Sequence, residues 1–407
     1  MLSSAARLMV SRAERADSID EQVVSRLSRD LRAALRRRPA HEARLAGSLR
    51  ALAPYSPPLM DALVEAFDVT VRRASFDRPL YAAAARALGE AGDRRSSASF
   101  KRALEPEEQA SFATLSALCG PGDPVLAEPL SRMARSRHAH FAFAAEVARI
   151  ARGESSGAHV ASLAPKIKES HRIALCLELF VPLTWSRPLV PAIGPALSVL
   201  RDSERHLGRW LVLGDVARRA GDPAPLTEAS RRAQEGPPSA RAAWAMVAWA
   251  ISGSGPAPDV RPNLELVARL SDRPSADRDP TFLFRLARAK APAARGMLET
   301  LAKAPLADEK AIRAALHLAR DYGDGRACDA LSAVAANARR DAVRGLAVAA
   351  LFDAGKRDEA IRFATELRDS RQLHSMAWAA LVLAHAAQPR VLVSEPQVRR
   401  IQFGCAE

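Results

Sequence analysis

The sequence predicts an all-α fold, an α-solenoid of stacked antiparallel helix pairs. Three observations point to it. Glycine recurs at 92, 122, 153, 221, 255, 323 and 355, in steps of 30 to 34 residues or twice that, and four of these open a Gly-Asp pair: Gly92-Asp93, Gly122-Asp123, Gly221-Asp222 and Gly323-Asp324. Glycine supplies the left-handed residue that closes the last carbonyls of a helix, and the aspartate caps the amides of the next, so each pair reads as a corner between helices. The period is that of helical repeat arrays. Second, apolar residues between the corners recur at three and four, and no stretch alternates as a strand does. Third, 407 residues exceed what one core fills, whereas a stack grows its core by addition.

Residues 1–75 lack the corner but are helical in pattern. Val23, Leu27, Leu31 and Leu35 form an apolar stripe with arginines on the remaining face, which predicts a capping region for one end of the stack. The opening MLSSAARLMVSRAER has no acid before Glu14 and no secretory apolar core, and reads as an ordinary terminus. Repeat units are expected over 76–270 and 281–388. First helices are clearest in RPLYAAAARALGEAGD, RAAWAMVAWAISGSG, KAIRAALHLARDYGD and DAVRGLAVAALFDAG; second helices in PVLAEPLSRMARS, PLTEASRRAQEG and DEAIRFATELRDS. Trp210 and Trp244, 34 apart, and Ile312-Arg313 and Val343-Arg344, 31 apart, hold one register. Alanine is the best helix former, and its small side chain lets stacked backbones approach. Pro188, Pro191 and Pro195 mark an irregular unit, because proline inside a helix removes a hydrogen bond and clashes. SDRPSADRDP, residues 271–280, is a hinge candidate, and 389–407 form a tail outside the pattern.

The corners carry a family resemblance. YAAAARALGEAGDRRSSASFKRAL and DEKAIRAALHLARDYGDGRACDAL resemble HEAT repeats of the short bacterial type, whose units read Val-Arg, then Ala-Ala-x-Ala-Leu-Gly, then Gly-Asp. Val343-Arg344 and Ile312-Arg313 match the first element, and Ala87-Leu88-Gly89 with Gly92-Asp93 match the rest, over about residues 76 to 388. A second resemblance is to tetratricopeptide repeats: WLVLGDVARRAGDPAPL begins Trp210-x-x-Leu213-Gly214, and AGKRDEAIRFATEL is similar to their second half. Ala217 stands where that family has a large aromatic and Leu226 where it has a small residue, so the HEAT-like pattern is the better match. Either family implies a right-handed stack of helix pairs with an extended concave surface, used in most members as a binding scaffold. Some HEAT-like proteins are enzymes, among them DNA glycosylases for alkylated bases and bilin lyases. Trp185, Trp210, Trp244 and Trp249 are the residues to line such a concave site, although tryptophan at helical repeat positions is more often core and no motif of either enzyme matches residue by residue.

Sequence signatures of catalysis are scarce. There is no Gly-rich phosphate loop, no His-Glu-x-x-His and no Gly-x-Ser-x-Gly. His138 and His140 are two apart, a spacing that does not share a helix face, and one metal would need a third ligand; they read as surface or inter-helix histidines. Cys119, Cys176, Cys328 and Cys405 are scattered, with no Cys-x-x-Cys, and read as reduced, mostly core cysteines. No catalytic residue, cofactor or metal is assigned. Nothing approaches eighteen uninterrupted apolar residues, so a cytoplasmic chain without a membrane span is expected.

Charge is the remaining clue. The 60 Lys and Arg against 46 Asp and Glu give a net +14, a balance that attracts polyanions. Lys101, Arg132, Lys166, Arg201, Arg231 and Arg269 fall near the ends of successive second helices, a ladder with rungs about one helix diameter, or 10 Å, apart. Cations in a last turn also favour the helix dipole whether or not anything binds, and the general arginine bias feeds the same pattern; this is the preferred reading of the ladder. The expectation is a non-catalytic helical-repeat scaffold that binds protein partners through an extended concave surface. The first alternative is a sequence-nonspecific DNA- or RNA-binding solenoid using the ladder, and the second an enzyme of the HEAT-like glycosylase or bilin lyase kind.

Overall fold

The computed structural model describes residues 19–37, 39–105, 123–167, 210, 222–252, 287, 292–303, 309–387 and 392–393. Among these the chain is all-helical, sixteen α-helices joined by turns and short 3-10 segments, with no strand. It divides into two compact units, one made of residues 1–126 with 301–407 and the other of residues 127–300. The first unit opens with α1 (Glu21–Arg36), α2 (Glu42–Leu52), α3 (Pro57–Arg72), α4 (Pro79–Ala91) and α5 (Ser97–Leu104). The second holds α6 (Ala127–Met133), α7 (Ala139–Ala151), α8 (Ala158–Leu163), α9 (Ala224–Glu235) and α10 (Pro238–Ser252), with α11 (Pro292–Ala302) at its boundary. The first resumes with α12 (Glu309–Tyr322), α13 (Gly325–Asn337), α14 (Asp341–Asp353), α15 (Arg357–Leu367) and α16 (Leu373–Ala384).

Glycine ends the helices where the period places it. Gly92, Gly153, Gly323 and Gly355 have φ of 64, 76, 67 and 90°, the left-handed region open to glycine. After α4 the amides of Gly92 and Asp93 close on the carbonyls of Gly89 and Leu88, and the amide of Lys356 closes on Leu351 O in the same way. Each corner aspartate then accepts from the amide two residues on: Asp93 from Arg95 (2.9 Å), Asp123 from Val125 (3.1 Å), Asp222 from Ala224 (3.0 Å) and Asp324 from Arg326 (3.0 Å). Asp20 does the same for Gln22 at the start of α1, without a glycine before it. Gly122, Gly221 and Gly255 lie outside the described residues, as do Pro188, Pro191, Pro195 and the 271–280 segment.

The stripe of α1 is buried at Val23, Leu27 and Leu31. Leu35 is half-exposed and Ala34 takes its place, because a turn of 3.6 residues drifts against a spacing of four. In the first unit, α14 lies against α12 and α16, α16 against α14 and α2, and α2 against α16 and α4. This row therefore runs across the two ends of the chain. The Arg26 guanidinium donates to the carbonyls of Ser370 and Arg371, Ser48 Oγ donates to Leu373 O at 3.2 Å, Arg368 pairs with Asp20 at 3.4 Å, and the Tyr55 ring meets His385 edge-on at 5.0 Å. The N-terminal helices have neighbours on both sides, where a cap has one.

Helices of this row are buried on every face, with unbroken buried runs over 311–319 in α12, 345–352 in α14, 373–382 in α16, 45–49 in α2 and 83–89 in α4. A helix buried all round is mostly apolar, although these runs also take in Ser48, Arg86, Arg313, His317, His374 and Ser375, and it must be thin where neighbours cross. At α14 and α16 the fit is tightest: a Cβ on Gly345 would stand 2.8 Å from Ser375 Cα and 3.3 Å from its carbonyl oxygen. Beside α4 sits a buried ion pair. Arg78 Nε and Nη2 fork onto the two Glu42 carboxylate oxygens at 3.0 and 2.9 Å, Nη2 also reaches Ala34 O at 2.8 Å, and Glu42 accepts the Leu80 amide at 3.3 Å. One cluster thus ties α1, α2 and α4 together. The tail is anchored where it is described: the amides of Leu392 and Val393 donate to the Asp353 carboxylate at 2.6 and 2.7 Å.

Three glycine substitutions separate these roles. Gly323→Ala keeps its space but not its φ and is expected to cost about 1–2 kcal/mol. Gly296→Ala, in the open interior of α11, is expected to gain about 0.5–1 kcal/mol in helix propensity. At Gly345 the same gain is opposed by overpacking of about 1–3 kcal/mol against Ser375 backbone, so Gly345→Ala should destabilise. Denaturant melts read all three signs. Glu42→Ala, which leaves the Arg78 charge buried and unpaired, should lose about 3–5 kcal/mol in the same measurement, whereas removal of an exposed pair such as Arg295–Glu299 should lose less than about 1.

Candidate interaction surface

Among the described helices of the first unit, most exposed side chains lie on α1, α3, α5, α13 and α15. These helices alternate a buried stripe with an exposed charged face: in α13, Ala327, Cys328, Leu331, Val334 and Ala335 are buried while Arg326, Asp329 and Asn337 are exposed; in α15, Ala360, Phe363, Ala364 and Leu367 are buried while Arg357, Asp358, Arg362 and Glu366 are exposed. Ser332 of α13 donates to Glu359 of α15 at 3.0 Å, which fixes the two faces side by side.

The expected ladder is divided between the two units. Lys101 belongs to the first, at the exposed last turn of α5, whereas Arg132, Lys166 and Arg231 belong to the second. Arg132, in the last turn of α6, pairs with Glu128 at 3.5 Å. Arg231 is bracketed by Glu228 and Glu235, each at 2.8 Å; its hydrogen bond to Glu228 leads the interactions that raise its pKa, and its charge is already answered on its own helix. Lys166 is exposed in a single 3-10 turn after α8, not at an α-helix end. Arg201 and Arg269 lie outside the described residues.

Of the aromatic candidates, Trp210 and Trp244 belong to the core. Trp210 and Trp244 are both buried and meet edge to face with ring centroids 5.2 Å apart. The Arg232 guanidinium lies over Trp244 at 4.7 Å and Trp210 at 5.4 Å and pairs with Glu228 at 3.0 Å, so it serves the core. Trp249 is half-buried on α10, and Trp185 lies outside the described residues. His138 stands just before α7 with His140 one residue inside it, their rings 6.0 Å apart, and Arg137 Nε approaches His138 Nε2 at 3.4 Å. Among the described residues no group of three or more His, Cys, Asp or Glu could hold a metal ion. Cys328 is buried on α13, where burial pushes its thiol pKa up; the other three cysteines lie outside the described residues.

Two buried polar clusters escape the sequence pattern. Glu146 of α7 accepts from Arg149 at 2.7 Å and from the Ser155 hydroxyl. Asp321, near the end of α12, takes His317 Nδ1 at 2.6 Å and the Arg320 guanidinium at 2.7 and 3.0 Å. A carboxylate only accepts, so Nδ1 carries the proton, and the Arg320 approach to that nitrogen at 3.2 Å is not a hydrogen bond. Burial pushes the Asp321 carboxyl up, but the hydrogen bonds from His317 and Arg320 outweigh it and hold the group below the ordinary carboxylate range. The i, i+4 spacing of His317 and Asp321 is visible in the sequence; their burial is not.

No family model, no characterised protein and no solved structure matches this chain.

Because the Asp321 pKa is lower folded than unfolded, its contribution to stability is complete above the ordinary carboxylate pKa of about 4 and is lost as pH falls below it. Stability measured against pH for the parent and Asp321→Asn should differ most above about pH 5 and converge at lower pH. A difference that does not depend on pH would mean that the carboxylate charge is not what stabilises this corner.

Proposed function

We propose that this chain is a non-catalytic helical-repeat scaffold, an α-solenoid of antiparallel helix pairs in the HEAT-like manner, which binds protein partners. The observation that carries the reading is the division of labour between helices. Inner helices spend most of their surface on their neighbours, and the charges at buried Glu42 and Glu146 and part-buried Asp321 are answered by Arg78, by Arg149 and by His317 with Arg320, as structural groups are, while Arg86 Nε is buried without a hydrogen-bond partner. What remains for recognition is the outer face, where α13 and α15 present alternating charges on a rigid support. The described inner helices of the first unit expose little beyond Arg44, which supports reading the outer helices as the recognition surface. No described helix is long and apolar enough to cross a membrane.

The test is site-specific photo-crosslinking in cells that express the chain, with the reactive side chain at exposed Asp329 or Arg362. A discrete adduct is expected from both positions, and its purified protein component should bind the parent chain at least tenfold more tightly than an Asp329→Arg, Arg362→Glu variant. Absence of any adduct at both positions, or an affinity indifferent to the charge reversals, would remove the outer-face scaffold reading.

A further inference from the structure

Three outer helices of the first unit end on one edge. The carbonyl of Leu35, in the last turn of α1, accepts Arg73 Nη1 from the end of α3 at 2.7 Å. Arg95, just before α5, reaches Asp61 in the first turns of α3 at 2.6 Å, Phe67 and Phe100 stack with centroids 4.6 Å apart, and Ser99 donates to Asp68 at 2.9 Å. The contacts between α3 and α5 climb both helices in the same direction, and the Leu35–Arg73 contact joins the ends of α1 and α3, so the three C-terminal ends lie together. Each end carries a pair of exposed cations: Arg36 and Arg37, Arg72 and Arg73, Lys101 and Arg102. Adjacent helix axes stand about 8–10 Å apart, which sets the spacing of the rungs.

We infer that this edge binds the phosphate backbone of a nucleic acid. A helix dipole is answered by one cation in its last turn, and here each end has two. Arg72 is committed to Asp68 and Arg73 to Leu35 O, whereas Arg36, Arg37, Lys101 and Arg102 make no ion pair with another described residue. Of the acids nearby, Asp68 is occupied by Arg72 and Ser99, and Asp77 and Glu105 are two against six cations. Rungs about 8–10 Å apart form a row of positive charge, the complement of the row of phosphates on a nucleic-acid strand. Five of the six groups are arginines, whose planar fork fits phosphate oxygens in pairs. An anionic membrane is the poorer fit, because interfacial binding also draws on apolar insertion, and the described exposed large apolar side chain, Val125, is not among these helix ends.

The test is fluorescence anisotropy of a labelled 20-base-pair duplex with the full chain, across salt concentrations. Four uncommitted cations predict a slope of log affinity against log salt of about −3.6, and about −2.8 for a single strand. The variant Arg36→Gln, Arg37→Gln, Lys101→Gln, Arg102→Gln should flatten the slope towards zero and bind at least tenfold more weakly at low salt, with unchanged circular dichroism. Retaining charge with Arg36→Lys, Arg37→Lys, Arg102→Lys should retain the slope, and Arg132→Gln with Arg231→Gln, whose charges are answered by glutamates, should leave it as in the parent. Three results each overturn the inference: no binding by the parent at low ionic strength, an unchanged slope in the four-fold variant, or binding of phosphatidylserine vesicles through these residues with none of nucleic acid.

Discussion

The first unit depends on how closely α14, α16 and α2 approach one another. Gly345 leaves room for the Ser375 backbone, and Ser48, no larger than it needs to be, sends its hydroxyl to Leu373 O. Dispersion attraction between packed atoms falls off within a fraction of an ångström, so a row of this kind holds only while its crossing points stay small. Alanine does the same elsewhere in the row, most plainly in α4, where 82–85 are all alanine. The other features of the unit follow from that closeness. Inner helices have little face left for solvent, and most exposed charges stand on the outer helices; of the polar groups inside, Glu42 and Arg78 pair with each other, whereas Arg86 Nε and Ser375 Oγ have no hydrogen-bond partner among the described residues.

The join between α16 and α2 is the second consequence. A row built from interchangeable apolar helices has no strong reason to stop at a chain end, and here the last helices of the chain meet the first. Arg26, Ser48 and Arg368 make the join specific, because each supplies a polar contact that a neighbour in another register could not receive. Burial of a bidentate pair such as Arg78 with Glu42 adds little net stability over an apolar substitute, but it penalises any arrangement that separates α2 from α4. Specificity of order within the row therefore rests on a handful of polar groups, and cohesion on the alanines and leucines between them.

The division between inner and outer helices also underlies both proposed binding surfaces. On an outer helix, a cation near the C-terminal end is favoured by the local dipole before any partner arrives, so an edge of parallel helix ends accumulates positive charge as a by-product of helix stability. A surface that began as dipole compensation becomes a binding edge when each end carries a second cation, as at Arg36 with Arg37 and Lys101 with Arg102. Opposite charges on α13 and α15 are interleaved instead, which suits a protein partner with a matching pattern.

Much of the fold is legible in local sequence. Gly92, Gly153, Gly323 and Gly355 end helices in the left-handed conformation because that requirement is met by the residue itself, and Asp93, Asp123, Asp222 and Asp324 cap amides two residues away. The helical class follows from spacing alone; that Trp210 and Trp244 meet edge to face does not, since the sequence offers only their separation of 34 residues. The candidate surface is legible only in part. Lys101 follows from the repeat pattern, whereas Arg36, Arg37, Arg72 and Arg73 do not, since their helices lack the Gly-Asp corner and read as a cap. What tertiary structure alone decided is which helix lies beside which: that α2 sits against α16, that Glu42 is buried against Arg78, and that Arg132 and Lys101 belong to different units. The physical reason is that helix ends are set by interactions within four residues, while the inner helices are made of the same few small apolar side chains. Nothing in such a helix names its neighbour until the polar contacts form.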